Sequence, residues 1–257
     1  MRTILTIARL VCRESLRGQI LYAMLVFLAV YLGFCVYIST LSLGEVARVI
    51  QNSGMLGMTL VGLAGTILFG LYALYQERER NELYVLLSRI PRGSYLLGRF
   101  LGAGAILALC ALLMGTGIFL LTWIIGQTVA PALFFAAYLT ILEFGLLMAI
   151  GFLFYTMGLS FTLNAFLVLG VFIVGHSFDE AIESFIALGE FGSPLHLRLV
   201  KVLSYVLPNF DMFDFRLAIV HAMEIPAGQA AMATLYGLSY LAAVLALTVM
   251  VMNRKDI

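Results

Sequence analysis

The residues that could do chemistry in this chain are few and lie far apart. Glu143 is a lone acid within a long apolar run. A charged carboxylate in such a place costs several kcal/mol unless it is paired or protonated. Two roles fit it: a neutral, hydrogen-bonded glutamate that packs helices, within one chain or across a dimer, or a station for protons. No Lys or Arg inside an apolar run offers itself as a partner, so packing is the preferred reading. His176, Asp179, Glu180 and Glu183 recur at helical spacing where another apolar run ends. A metal could sit on such a face. A solvated acidic helix end is the preferred reading, and His196 and His221 are too distant along the chain to assign to it. No GxxxxGK[ST] phosphate loop occurs, which argues against ATP hydrolysis by this chain, and there is no GxSxG or HExxH. Cys12, Cys35 and Cys110 lie in or beside apolar segments and suggest neither a disulfide framework nor a thiolate metal site. No catalytic, cofactor-binding or metal-ligating set is expected, and no nucleic-acid partner.

The densest charge lies in residues 76–100, QERERNELYVLLSRIPRGSYLLGRF. Glu77, Arg78, Glu79, Arg80, Glu82, Arg89, Arg92 and Arg99 fall within it, between long apolar runs. Leu83, Leu86, Leu87 and Ile90 recur at i, i+3, i+4 and i+7, drawing one apolar stripe along a short helix that Pro91 and Gly93 then break. Five arginines mark this side of the membrane as cytoplasmic. The helix either receives force from a soluble partner or lies at the lipid headgroups, and the pattern alone leaves both open.

The elements that must position these residues follow from composition. Of 257 residues, 63% are hydrophobic and only 11% charged, against about 25% in ordinary soluble domains. With a mean hydropathy of +1.05, several runs exceed the ~20 apolar residues that cross a bilayer. The expected fold is an all-α integral membrane protein of six spans. Arg2, Arg9, Arg13 and Arg17 share one helical face, with Ile4, Ile7, Ala8, Val11 and Ser15 opposite. This N-terminal helix should lie flat in the interface with its arginines towards headgroups, and no cleavable signal peptide is expected. Spans are placed at about 20–43, 54–75, 95–125 and 227–252, with a hairpin of two over 131–178. Glu45, Arg48, Gln51 and Asn52 form the first outer loop, and Gly126, Gln127 and Pro131 the next. Gly158, Ser160, Thr162 and Asn164 supply the hairpin bend. Gly98, Gly102 and Gly104 place small residues at the start of span three for close helix packing.

Charge orients the chain. Eleven Lys and Arg face five acids on the inner side, and four face eight on the outer. Both termini are therefore expected in the cytoplasm. Residues 179–225 form the largest extramembrane piece, read as a lid or re-entrant element at the outer mouth. Within it, a helix over 195–207 carries Arg198 and Lys201 on its polar edge, and Pro208, Asn209, Phe210 and Asp211 make a turn.

On these motifs the chain resembles the permease subunit of type-2 ABC transporters over nearly its whole length. The N-terminal helix (1–18) is similar to that family's elbow helix. The charged segment (76–94), with LYVLLSRIPRGSYLLGRFLG, is similar to its coupling helix and the start of span three. YVLPNFDMFDFR and the terminal NRKDI resemble a subset that includes the permease of nitrous-oxide reductase maturation. One departure is visible: where the family reads Ser-Arg-Pro, Ile90 stands here between Arg89 and Pro91, and Gly93 follows Arg92. The resemblance implies a single permease domain over 1–257, one half of an exporter in a bacterial inner membrane, paired with a second copy as a homodimer. Each copy would receive a cytoplasmic ABC ATPase on Glu77, Arg78, Glu79, Arg80, Glu82, Leu83, Leu86, Leu87, Ile90, Pro91 and Arg92. ATP and Mg would be held by that partner, and this chain would bind lipid but no cofactor. Rival readings are an ATP-independent channel or ion-coupled carrier, with Glu143 central, and a structural anchor subunit.

Overall fold

Inside a bilayer the backbone has no water to bond to, so long apolar runs satisfy their own amides as helices. The structure is a computed structural model that describes residues 2–42, 44–79, 91–188 and 207–254, without side chains at 2, 79 and 178–188. The regular structure among the described residues is all helical, with no strand. Helix α1 is Arg2–Arg17 and α2 is Gln19–Thr40. Helix α3, Val46–Gly65, runs through a wide π-helical segment, Thr66–Tyr72, into α4, Ala73–Glu79. Helix α5 is Arg92–Ile124, α6 is Ala132–Met157 and α7 is Phe161–Leu188. A 3-10 turn, Asp211–Phe213, and a short α8, Arg216–Val220, precede α9, Ala227–Arg254.

Five of these are long and apolar enough to cross a membrane: Gln19–Thr40, Val46–Arg78, Arg92–Ile124, Ala132–Met157 and Ala227–Arg254. The chain is an all-α membrane protein. The expected sixth span corresponds to α7, whose apolar stretch among residues with described side chains, Phe161–Ser177, is shorter than these five.

Two boundaries differ from the expectation. The first far-side turn is shorter, because Arg48, Gln51 and Asn52 belong to the first turns of α3. Their polarity is accommodated on the helix: Arg48 pairs with Glu45 at 3.2 Å, and Gln51 is buried. The hairpin bend is also tighter. Gly158 ends α6 in the left-handed region (φ 94°), where glycine suffers no Cβ clash, and Leu159 N–H donates back to Phe154 O at 3.4 Å in a Schellman-type cap. Thr162 and Asn164 are already helical. Asn164, fully buried, donates from Nδ2 to Gly151 O (2.9 Å) and to the Tyr75 hydroxyl (3.1 Å), which itself donates to Leu159 O at 2.8 Å. A residue read as part of the bend is thus the clasp that ties both arms of the hairpin to α4.

Helix α6 is the centre of the bundle. Almost every side chain from 142 to 152 is buried, and α3, α5, α7 and α9 pack around it. Helix α2 lies at the rim and leaves Tyr22, Val26, Val30, Phe34 and Tyr37 exposed, as lipid contact allows. At 33 residues α5 is about 50 Å long, more than the ~30 Å hydrocarbon core. Its first turns are clasped by α1, where Gly98 and Gly102 meet Ile7 and Val11 closely.

The tightest approach in the core is Gly62 of α3 beneath Phe144 of α6. A Cβ at Gly62 would lie 2.1 Å from the Phe144 ring, which is itself fully buried and stacked on Phe172 at 5.6 Å. The ring has nowhere to go. Gly62→Ala is therefore expected to destabilise the fold by about 1–3 kcal/mol in a denaturant titration of purified protein. Gly33→Ala, where nothing lies within 4 Å, should stay within about 0.5 kcal/mol of the parent. Equal stability of the two variants would contradict this packing.

Candidate functional site

The charged stretch divides once its residues are placed. Glu77, on α4, is not presented outward: its Oε1 lies 2.7 Å from Arg99 Nη2, and its other oxygen accepts a hydrogen bond from the Tyr95 hydroxyl. The same Arg99 nitrogen donates to Ala73 O at 3.0 Å. Arg99 is only 4% exposed, because a long α5 carries it down into the bundle where α1 covers it. Beside the pair is a cavity of about 130 Å³ lined by Glu14, Ser15 and Gly18 from the α1 end and by Tyr72 and Gln76. Arg92, half-buried, donates to Met252 O at 3.4 Å, joining the start of α5 to the end of α9. Arg78 and Pro91 are exposed. Arg80, Glu82, Leu83, Leu86, Leu87, Arg89 and Ile90 lie outside the described residues, as does the Glu79 side chain.

Helix α1 shows three faces. Ile4, Ile7, Ala8, Val11 and Ser15 turn towards the protein, and Val11 is buried. Arg9, Arg13 and Arg17 are exposed, and Leu5 and Leu16 flank them, also exposed. An arginine face beside an apolar flank suits the boundary between headgroups and acyl chains. The Arg2 side chain is outside the description.

A second polar site lies deep in the bundle. Glu143 is the twelfth residue of α6, about 17 Å from its start, near the middle of a membrane-spanning helix. It is 8% exposed, and its Oε1 lies 3.4 Å from His176 Nε2 on α7. That is ion-pair distance without hydrogen-bond geometry, since the same oxygen has no hydrogen-bond partner. The His176 ring is held by its neighbours: Nδ1 lies 3.2 Å from Phe172 O, and the ring stacks on Phe210 at 5.6 Å. With Nδ1–H donating to that carbonyl, a neutral imidazole turns its lone pair towards Glu143.

These two residues close one end of a cavity of about 300 Å³, walled by α3, α6, α7 and the segment before α9. That segment, 207–226, folds back onto the bundle. Phe210 is fully buried against Gly175, and its N–H donates to Gly175 O at 3.1 Å. Asn209 N–H donates to the Tyr236 hydroxyl at 2.9 Å, while its Oδ1 accepts from Asp211 N–H. The expected turn at Pro208 is therefore an anchor, and it delivers Asp214 and Arg216 to the cavity mouth. The helix expected over 195–207, with Arg198 and Lys201, falls almost wholly outside the described residues.

Two expectations are revised by this geometry. Glu143 has company that a search of apolar runs could not find, because Arg216 comes from the returning segment and His176 from the second arm of the hairpin. His176 faces Glu143, and the side chains of Asp179, Glu180 and Glu183 are not described. Among the described residues no group of three His, Cys, Asp or Glu is placed to hold a metal. The sequence signals for the cavity are Glu143 as a lone acid in an apolar run and His176 at the end of another, and neither marks Phe213, Asp214, Phe215 or Arg216 as their neighbours. Comparison with protein families finds no match to the chain, and comparison with curated proteins finds none either.

Breaking the Glu77–Arg99 pair one partner at a time should expose its burial. Glu77→Ala leaves a guanidinium without its counter-charge and is expected to cost about 3–5 kcal/mol. Adding Arg99→Met should recover most of that loss in the same unfolding assay. If Glu77→Ala unfolds like the parent, the pair is solvated.

Proposed function

We propose that the chain is the transmembrane permease half of an ABC exporter, coupled to a separate cytoplasmic ATPase and paired with a second copy of itself. The observation that carries the reading is a convergence at one end of the bundle. There an amphipathic α1 lies on α5, and a buried ion pair locks α4 to α5 on either side of the charged connection. A load applied to residues 80–90 would reach α3 and α5 at once, and through them the central α6. This is what a coupling helix must do, with α1 as the elbow helix. In this reading α7 completes a sixth span, both termini lie in the cytoplasm of a bacterial inner membrane, and the substrate path runs between two copies. ATP and Mg belong to the partner, whose nucleotide-driven closure biases the permease between inward and outward access.

One observation favours a second reading. Glu143 and His176, at ion-pair distance beside a cavity, are what an ion-coupled carrier needs near its midplane. Transport by the purified chain without any ATPase separates that reading from the first.

Topology is tested with single cysteines in a chain whose Cys12, Cys35 and Cys110 are replaced by Ala. Arg78→Cys, at an exposed site, should react with a membrane-impermeant maleimide only from the cytoplasmic side, and His221→Cys, also exposed, only from the outer side. Labelling of position 78 from outside would overturn the orientation.

Coupling is tested on the apolar stripe. Each leucine truncated at an interface costs about 1–3 kcal/mol, so Leu86→Ala with Leu87→Ala should weaken ATPase docking roughly ten-fold or more. Insertion should stay normal while substrate-stimulated hydrolysis falls. If the double variant binds and couples like the parent, residues 80–90 are an interfacial loop and the reading loses its support.

A further inference from the structure

The cavity beside Glu143 combines a few acceptor groups with an apolar, largely aromatic and thioether wall. Its buried end holds Glu143 Oε1, an acceptor with no hydrogen-bond partner. Thr59 and Thr140 line it too, and each hydroxyl donates to its own helix, to Met55 O at 3.3 Å and Ala136 O at 2.9 Å. Their oxygens therefore keep lone pairs free to accept. The remaining wall is largely aromatic and thioether: Phe172, Phe213 and Phe215, with Met55 and Met58. Ring faces are electron-rich and attract cations, as do polarizable sulfurs. Among the described residues, the charged and titratable groups that line the cavity are Glu143 and His176 at the buried end and Asp214 and Arg216 at the mouth.

Asp214 and Arg216 also line an outer vestibule of about 570 Å³, together with Arg48, Asn52, Asp211 and His221. The buried cavity is thus reached past one acid and one base, from the end of the bundle opposite α1. At about 300 Å³ it falls at the small end of ligand sites.

We propose that this cavity binds a compact organic cation, a primary ammonium on an apolar or aromatic body. The three N–H groups of the ammonium find Glu143, Thr59 and Thr140, and the body lies among Phe172, Phe213 and Phe215. Binding resolves the unpaired carboxylate oxygen, and the ammonium supplies the positive charge that makes a buried carboxylate tolerable. A quaternary ammonium has no N–H to give and gains only the aromatic part. The inference deepens the transport reading by naming a class of cargo, but binding needs no ATPase.

The test uses the purified full chain in nanodiscs of zwitterionic lipid and equilibrium dialysis with radiolabelled benzylammonium. Saturable binding is expected, with no competition from benzyl alcohol and at least ten-fold weaker competition from benzyltrimethylammonium. Glu143→Gln should weaken benzylammonium at least ten-fold. Arg216→Ala should tighten it, because a like charge leaves the mouth. Should Glu143→Gln fold poorly, Thr140→Val provides the second arm: it should weaken the primary ammonium several-fold and leave the quaternary one unchanged. Absence of saturable binding, equal competition by benzyl alcohol, or weaker binding in Arg216→Ala would each overturn the proposal, as would parental affinity in the Glu143 and Thr140 variants. Loss of ATPase coupling with benzylammonium binding intact would count against the exporter reading alone.

Discussion

The structure depends on how closely α3 can approach α6. Hydrocarbon is as apolar as leucine, so in lipid no hydrophobic force drives one apolar helix onto another, and close packing with small residues must do it. Here the small residues come from both sides. Gly62 admits the Phe144 ring, Gly70 admits Met148, and Gly151 of α6 admits Leu71 in return. Thr66 reinforces the contact by sharing its one hydroxyl hydrogen between Gly62 O at 2.9 Å and Phe144 O at 3.3 Å. With α6 held on this side, its other faces are free for α9, α5 and α7. A carboxylate on so enclosed a helix can then be aimed at one place.

The same helices connect the two polar sites. Met55, Met58 and Thr59 of α3 wall the cavity, and Glu77 closes the ion pair on the continuation of that helix. Glu143 stands on α6, whose hairpin is clasped to Tyr75 through Asn164. A displacement at the α1 end therefore has packed, hydrogen-bonded routes towards the cavity. Routes of this kind are what the proposed permease would use.

Much of the architecture was legible in the chain. Of the six spans expected from apolar runs five are found, the helix expected over the arginine periodicity is α1, and the close packing expected at Gly98 and Gly102 is made with α1. What the chain hides has a common cause: a residue's neighbours in sequence are not its neighbours in space. Arg99 and Glu77 sit in a charged stretch and look like surface, yet α5 and α4 bring them together out of water. Asn164 looks like a turn residue because it follows Gly158 and Ser160, yet one turn of helix later it is fully buried. Glu143, His176 and Arg216 share no local spacing, so only the hairpin and the returning Phe210 segment bring them to one cavity.

The wide segment at Thr66–Tyr72 has a consequence for how such a chain can vary. In a regular α-helix, gaining or losing one residue turns everything beyond it by about 100° and re-faces every side chain. A π-helical stretch already holds slack in its turns, and the loss of one residue there trades wide turns for regular ones. The stretch is also packed against α6 through Thr66, Gly70 and Leu71, so its facing towards that helix is fixed while its pitch is not regular. The cavity wall above it and the ion pair below it can each keep their own facing, so the two ends of one membrane helix are open to separate histories.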